Sequence, residues 1–386
     1  IIEKCILEYN EEKPSKNTAV VVADPSNGEI LGMASYPTFN LNDPRKLTGM
    51  YTDEEIKDMS DEEYRNNLYS LWTNYCVSES YEPGSTFKPV TVASALEEGV
   101  VKDGDTYVCK GFETVADYKL KCHVFSTIGS HGSLTVEQAL MNSCNPYMIH
   151  LALEMGNSRF AYYQSLFGFG KITGIDLPGE TTGIVYGDRM TTIDAACNSF
   201  GQTINVNMMQ MMAAYCSIIN GGMLFTPHII KRIESDNGDL VKVYKANLVR
   251  QTITASTSKL LRRYLKNTVE EGTAKKAGVT GYSVAGKTGT AQKGDRKDNK
   301  WIISFIGHAP AENPKFAIYV VIDEPYGTTG TSGSSADVLT LTHNILEKLL
   351  PYMNVYKDAS DEYEDTSSSP DELTVDGIPA GTASSN

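Results

Sequence analysis

A serine and a lysine stand three residues apart in the segment 81–88, YEPGSTFK. Residues at this spacing share one face of a helix, so the Lys88 amine can reach the Ser85 hydroxyl. A serine hydroxyl becomes a good nucleophile when a base removes its proton, and a lysine is such a base once burial or nearby positive charge lowers its pKa. The pair therefore predicts covalent catalysis at the start of a helix, whose N-terminal N–H groups would stabilise an oxyanion.

The S-x-x-K spacing is weak when it stands alone. A second copy, Ser256 to Lys259, lies in a stretch predicted to be a plain solvated helix. Two further segments strengthen the first copy: 143–145 (SCN) and 287–290 (KTGT), the latter at the end of a strand-like run. Separately, these segments are typical of a helix cap and of a surface lysine before a turn. Together and in this order, the three segments indicate one catalytic site.

The ordered motifs resemble those of the serine penicillin-recognising enzymes, and in particular the transpeptidase domain of a class B penicillin-binding protein. The resemblance covers roughly Thr18 to Tyr352. Further matching segments occur in the family's order: 22–25 (VADP), 28–31 (GEIL), 200–202 (FGQ), 220–222 (NGG), 285–291 (AGKTGTA) and 304–307 (SFIG).

The resemblance implies a role for each matching residue. Ser85 would attack the penultimate D-Ala carbonyl of a peptidoglycan stem peptide and release the terminal D-Ala. Lys88 would accept the Ser85 proton, although the identity of the acylation base is disputed across the superfamily. Ser143 would relay a proton to the leaving amine, and Asn145 would hold Lys88 and the substrate amide. An amine from a second stem peptide would then attack the acyl-enzyme.

The same resemblance assigns the substrate cleft to the KTGT segment. Lys287 would give the cleft a positive electrostatic potential, and the hydroxyls of Thr288 and Thr290 would bind the substrate carboxylate. Gly289 would leave the strand edge bare, so that an extended peptide can lie alongside it. The backbone N–H groups of Ser85 and Thr290 would form the oxyanion hole. β-Lactams would acylate the same serine because they mimic the D-Ala-D-Ala end.

Other functions remain open at this point. In a serine β-lactamase or a D,D-carboxypeptidase, water would replace the acceptor amine. A β-lactam sensor or an assembly scaffold would keep the fold without turning over a peptide. The length of chain before Ser85, the lead-in 81–84 and the absence of an obvious deacylating Glu favour the transpeptidase. The sequence contains no G-x-S-x-G motif, so a Ser-His-Asp hydrolase is not expected.

Three of the seven cysteines fall in one window with a histidine, the set being Cys109, Cys122, His131 and Cys144. Three thiolates and an imidazole form a structural zinc set, although the spacings exceed those of zinc fingers. Some class B enzymes of the elongation and sporulation type are similar in this respect, with a zinc beside the S-x-N motif. His123 is a substitute ligand and Asp117 a weaker one. The alternatives are a Cys109–Cys122 disulfide, or reduced buried thiols with His131 hydrogen-bonded in a turn. The acyl chemistry itself requires no cofactor.

Composition excludes several classes of protein. The 386 residues include 34 basic and 48 acidic side chains, for a net charge of −14. This acidity argues against a nucleic-acid binder, which needs a basic face. With 41% hydrophobic residues the chain can bury a large core,. Its apolar runs are shorter than the 18 or so residues that cross a bilayer, so no membrane span is expected.

The pattern predicts an α+β (mixed) fold. Strand-like runs lie near both ends of the chain, at 18–24 and 29–35 around an Asn-Gly turn and again at 282–285, 301–307 and 316–322,. Between them, from 85 to 222, the pattern is helical, with a capping box at Thr135 and an apolar helix over 206–219. A last amphipathic helix covers 336–350. We therefore expect an antiparallel sheet of about five strands built from both chain ends, flanked by helices, with an all-helical subdomain inserted. The resemblance implies the same β-lactamase/transpeptidase-like architecture.

Three regions are expected along the chain. Residues 1–17 are interpreted as the end of an upstream linker or pedestal region, and 18–352 as the transpeptidase domain. Residues 353–386 form an acidic tail or linker predicted to be disordered, because acidic polar segments cannot bury enough apolar surface to fold. The resemblance implies an N-terminal membrane anchor outside this chain, a location at the extracytoplasmic face of the bacterial cell membrane, and a lipid-linked glycan polymerase as partner. The resemblance is equally compatible with a role in cell division, elongation or sporulation.

Overall fold

The structure is a computed structural model that describes residues 1–47, 50–294, 300–325 and 334–359. Residues 360–386, which include most of the predicted acidic tail, lie outside the described residues. Among the described residues, no helix combines the length and apolar character that crossing a bilayer requires.

Helices and strands alternate unevenly along the chain. The strands are β1 (Ser15–Ala23), β2 (Ile30–Tyr36), β3 (Thr106–Cys109), β4 (Phe112–Val115), β5 (Tyr118–Lys121), β6 (Gly132–Thr135), β7 (Met223–Phe225), β8 (Arg232–Glu234), β9 (Leu240–Val243), β10 (Leu248–Gln251), β11 (Ala285–Lys293), β12 (Lys300–Ala309) and β13 (Phe316–Pro325). The helices are α1 (Ile2–Glu12), α2 (Asp53–Asp58), α3 (Asp61–Trp72), α4 (Tyr75–Ser78), α5 (Lys88–Glu98), α6 (Val136–Met141), α7 (Asn145–Met155), α8 (Asn157–Leu166), α9 (Thr192–Asn198), α10 (Met208–Ile219), α11 (Ala255–Glu270) and α12 (Ser335–Tyr352).

The central sheet has the strand order β11-β12-β13-β1-β2 and is antiparallel throughout. It joins a hairpin from the start of the chain to three strands from its end, which confirms the predicted assembly from both ends. β1 is buried on both faces because its side chains alternate between two cores. Val20 and Val22 pack with α1 and α12, whereas Ala19 and Val21 pack with the inserted helices,.

The inserted region is mainly helical, as predicted. Every residue of α10 is buried, and Asn207 caps it with a capping box. The predicted capping box at Thr135 is present too, with Gln138 as its partner. The region also contains two short antiparallel pairs, β3 with β6 and β4 with β5, which the sequence pattern did not predict. These four-residue strands are too short for their alternation to be distinguished from loop sequence.

Two element boundaries differ from prediction, and the first of them lies at the KTGT segment. The strand expected at 282–285 instead begins at Ala285 and runs through the KTGT segment, so that segment lies within a strand rather than at its end. The last helix continues through Pro351 to Tyr352. The second S-x-x-K copy lies in α11, with Ser256 and Lys259 exposed, as expected for a solvated helix face.

Candidate active site

The Ser85 segment forms a short 3₁₀ turn, Gly84–Phe87, that leads directly into α5. The Thr86 hydroxyl stabilises the turn by donating to the Pro83 carbonyl at 2.7 Å. Gly84 has φ +56°, a left-handed conformation that glycine adopts without steric cost,. A Cβ at this position would also lie 2.7 Å from the carbonyl oxygen of Thr290, so the bare backbone lets the turn approach β11.

Lys88 is the first residue of α5, and its side chain is fully buried. Its Nζ donates to the Ser143 carbonyl at 2.6 Å, to the Ser143 hydroxyl at 3.0 Å and to Asn145 Oδ1 at 2.7 Å. The Ser143 hydroxyl in turn donates to Ser85 Oγ at 3.0 Å. The hydrogen bonds therefore run from Lys88 through Ser143 to Ser85, rather than along the direct path that the S-x-x-K spacing suggested.

Burial also sets the protonation chemistry of the two lysines. Removal from water disfavours the ammonium form, and it lowers the pKa of Lys88 to about 8, while the charges of the Cys122 and Cys144 thiols act in the opposite direction,. Burial lowers the pKa of Lys287 well below its usual range, and the charge of Lys88 lowers it further. Lys88 is therefore partly neutral near physiological pH and able to accept a proton.

β11 supplies the third segment. Within the described residues it pairs only with β12, so it forms one edge of the sheet. Lys287 and Thr288 are buried, whereas Thr290 is exposed. Lys287 Nζ donates to the carbonyl oxygen of Thr288 at 3.1 Å and lies 3.4 Å from its hydroxyl. The turn that carries Ser85 thus contacts both the Ser143 segment and β11.

Packing against the Ser85 turn also restricts position 289 to glycine. A Cβ there would lie 2.5 Å from Ser304 Oγ and 2.9 Å from both the Pro83 carbonyl and Thr86 Cγ2. The position therefore faces the turn that carries Ser85, and its missing side chain lets that turn pack against β11. The sequence interpretation considered only a bare strand edge for the substrate.

The four predicted metal ligands lie together. One ligand atom each from Cys109, Cys122, His131 and Cys144 falls within 4.8 Å of the others. His131 Nδ1 is 3.8 Å from the sulfur of Cys109 and 3.6 Å from that of Cys122. All seven cysteines are free thiols, so the Cys109–Cys122 disulfide does not form. Hydrogen bonding from the Cys144 thiol lowers the pKa of Cys122, and the same contact raises the pKa of Cys144.

The two substitute ligands lie outside this cluster. Asp117 is exposed in the turn between β4 and β5. The His123 Nε2 donates to the Asn142 carbonyl at 3.0 Å instead of joining the thiols. The cluster is held next to the S-x-N segment because Cys144 is the N-cap of α7, which begins at Asn145.

Comparison with known proteins identifies the family. The profile of the Penicillin binding protein transpeptidase domain matches residues 18–347. The chain belongs to this transpeptidase family.

Curated relatives and solved structures agree with this assignment. The chain is 38% identical to "Stage V sporulation protein D" of Bacillus subtilis over 356 residues, covering 90% of this chain and 51% of that protein. It is 30% identical to "Peptidoglycan D,D-transpeptidase FtsI" of Escherichia coli K12, covering 89% and 53%. Penicillin-binding protein 3 of Mycobacterium tuberculosis, crystallised with aztreonam, superposes with a TM-score of 0.77 at 27% identity, covering 93% and 78%. The chain spans about half the length of the curated relatives it matches.

Two side-chain contacts near the motifs could not be predicted from residue spacing. The Thr273 hydroxyl, on the loop after α11, lies 3.5 Å from the Thr288 hydroxyl and is exposed beside it. The Glu82 carboxylate accepts from the backbone N–H of Thr203 at 2.9 Å, and burial raises its pKa. Glu82 stood within the lead-in, but its partner is too distant in sequence to be found by spacing.

Proposed function

We propose that the chain is the catalytic domain of a peptidoglycan D,D-transpeptidase that forms an acyl-enzyme on Ser85. The observation that carries the proposal is the hydrogen-bond chain from buried Lys88 through Ser143 to Ser85, beside β11, which ends the strand order of the sheet among the described residues. The curated relative named as a D,D-transpeptidase supports the same chemistry.

The geometry suggests a proton path for acylation. Ser85 Oγ bonds to the carbonyl carbon of the penultimate D-Ala, and its proton passes through the Ser143 hydroxyl to neutral Lys88. When the tetrahedral intermediate collapses, the C–N bond breaks and the proton returns through Ser143 to the leaving D-Ala amine. An acceptor amine then attacks the ester carbon and loses a proton, while Ser85 regains one. Asn145 holds Lys88 in place throughout.

Substrate would bind along β11. An extended peptide can add to the strand edge through main-chain hydrogen bonds. Thr288 and Thr290 would bind its carboxylate, with Lys287 and Thr273 beside them. The backbone N–H groups of Ser85 and Thr290 would stabilise the oxyanion, which is consistent with the close approach of the Gly84 turn to Thr290,. A β-lactam would occupy the same place.

Two measurements on the purified chain separate the enzymatic alternatives. A fluorescent penicillin should give a covalent label that persists for many minutes, and a donor peptide ending in D-Ala-D-Ala should exchange its terminal residue for an added D-amino acid. Rapid loss of the label would indicate a β-lactamase. Hydrolysis without exchange would indicate a carboxypeptidase, and a stable label with neither hydrolysis nor exchange would indicate a sensor or scaffold.

The thiol cluster fits a structural zinc ion. Tetrahedral zinc with ligand distances of about 2.3 Å to sulfur and 2.0 Å to nitrogen places those ligands about 3.5 Å apart. The observed separations of 3.6 and 3.8 Å between His131 Nδ1 and two cysteine sulfurs are close to this value. The ligands would be Cys109, Cys122, His131 and Cys144. The ion would supply a cross-link that holds the loop before Asn145, outside the acyl chemistry.

Metal analysis tests the zinc assignment. The purified chain should contain about one zinc per molecule, and Cys109→Ser should lose most of it and lower the melting temperature, because a ligand is removed. Cys197→Ser is the matched control, since Cys197 is a half-buried thiol outside the cluster, and it should keep the metal. Substantially less than one zinc in the wild-type chain would end the assignment.

The proposal extends to the surrounding protein. Residues 18–352 would form the catalytic domain, and 1–17 the end of a preceding region whose helix α1 packs on the sheet through Cys5 and Ile6. Residues 353–386 would form an acidic linker. As the resemblance of the motifs to class B penicillin-binding proteins implies, the full protein would act at the extracytoplasmic face of the membrane, anchored by an N-terminal helix, together with a lipid-linked glycan polymerase.

A further inference from the structure

Ser143 has a backbone conformation that a serine rarely adopts. Its φ of +55° lies in the left-handed region, where the Cβ of an L-residue is crowded by the following carbonyl,. Such conformations persist at functional sites when the surrounding structure imposes them. Here the conformation aims the Ser143 hydroxyl at both Lys88 and Ser85.

The left-handed turn arises from the way in which α6 ends. The N–H of Cys144 donates to the Ala139 carbonyl at 2.8 Å, and the N–H of Ser143 donates to the Leu140 carbonyl at 3.1 Å. This pair of bonds is a Schellman motif, in which the left-handed position is usually glycine. A glycine would have no hydroxyl to offer, so the chemistry requires a strained residue at this position.

The carbonyl groups of Asn142 and Ser143 both accept hydrogen bonds from side chains elsewhere in the fold. The Ser143 carbonyl accepts from Lys88, and the Asn142 carbonyl accepts from His123 at 3.0 Å. Because a carbonyl only accepts, the His123 Nε2 carries the proton. His123 begins the 3₁₀ turn His123–Ser126, directly after Cys122.

We propose that His123 is a positioning residue for acylation, a role that rests on the proposed function of Ser85 and Ser143. Its Nε2–H fixes the peptide group before Ser143 and so holds the left-handed turn that points the hydroxyl into the proton path. It acts through Ser143 and touches neither the substrate nor the reacting atoms. It also links the loop that carries Cys122 to the catalytic motif, independently of the Cys144 backbone.

Three substitutions test the role. The amide nitrogen of a glutamine reaches about as far as Nε2 of histidine, whereas that of an asparagine is one carbon shorter. His123→Gln should therefore acylate with penicillin within about threefold of wild type. His123→Ala and His123→Asn should lower the acylation rate constant about 10-fold, as expected for loss of one hydrogen bond. The equilibrium constant for the initial non-covalent complex should stay the same in all three.

Zinc content and melting temperature are measured on the same samples. Acylation by His123→Ala at the wild-type rate would overturn the proposal, as would His123→Gln acylating as slowly as His123→Asn. If His123→Ala folds poorly, the comparison of the glutamine and asparagine variants still tests the positioning role of His123. Failure of the wild-type chain to acylate at Ser85 would instead refute the proposed function, which is a separate result.

Discussion

Ser85→Ala should abolish covalent labelling by penicillin, with an acylation rate lowered by at least about 10⁵-fold. Loss of the nucleophile in a serine acyl-transfer site removes catalysis on this scale, because no neighbouring group can form the ester. The substitution deletes one half-buried oxygen that accepts one hydrogen bond from Ser143, so the fold should be retained. Labelling with fluorescent penicillin, followed by intact-mass measurement, gives the result.

The chain provides a matched control in its second S-x-x-K copy. Ser256 is exposed on α11 with Lys259 three residues later, and the Lys259 side chain is exposed as well, whereas that of Lys88 is buried. Ser256→Ala should label at the wild-type rate. Residual labelling of Ser85→Ala at a comparable rate, or loss of labelling in Ser256→Ala, would show that the nucleophile is misassigned.

Lys88→Met should lower the acylation rate by about 10³-fold while the initial binding of penicillin is kept. The unbranched apolar side chain fills a similar buried volume but cannot accept the Ser85 proton, and general-base catalysis contributes about 10² to 10⁴ in rate. The Asn145 and Ser143 oxygens also lose their donor, which should reduce stability,. Stopped-flow acylation at several penicillin concentrations separates the rate constant from binding.

The pH dependence of the acylation rate gives a second test of Lys88 as the general base. The base must be neutral, and burial lowers the pKa of Lys88 to about 8. Wild-type acylation should therefore rise about tenfold per pH unit below that value and level off above it. Lys88→Met should lose this rise, whereas Lys259→Met, the exposed counterpart, should keep it. A wild-type rate that is flat from pH 6 to pH 9 would exclude Lys88 as the titrating base.

The sequence grouped Lys88, Ser143 and Asn145, and the structure joins them by hydrogen bonds, whereas their catalytic roles stay a prediction. The local geometry was predicted in part: Ser85 was expected before a helix, as found, whereas Lys287 was expected at the end of a strand and lies within one. The strand-like runs at 18–24 and 29–35 and the Asn-Gly turn between them located the hairpin, because strand character and turn chemistry are local properties. The four residues of the thiol cluster, which the sequence grouped by residue type and by their common window, lie together in the structure.

What the sequence could not supply depends on contacts between distant segments. The left-handed conformation of Ser143 depends on how α6 ends and on the donors from Lys88 and His123. Helical spacing alone predicted a direct contact between Lys88 and Ser85, because it takes no account of Ser143, which bonds to both. The same limit explains why His123 was interpreted as a substitute ligand and why the packing role of Gly289 was missed.

A crystal structure of the penicillin-treated chain tests the central claim most directly. It should show an ester on Ser85 Oγ, with the adduct carbonyl oxygen bound by the backbone N–H groups of Ser85 and Thr290 and with Ser143 between Lys88 and the adduct. An adduct on another residue would contradict the claim that these three segments form one acylating site. So would a Ser85 adduct whose oxygen lies away from Lys88, Ser143 and Thr290.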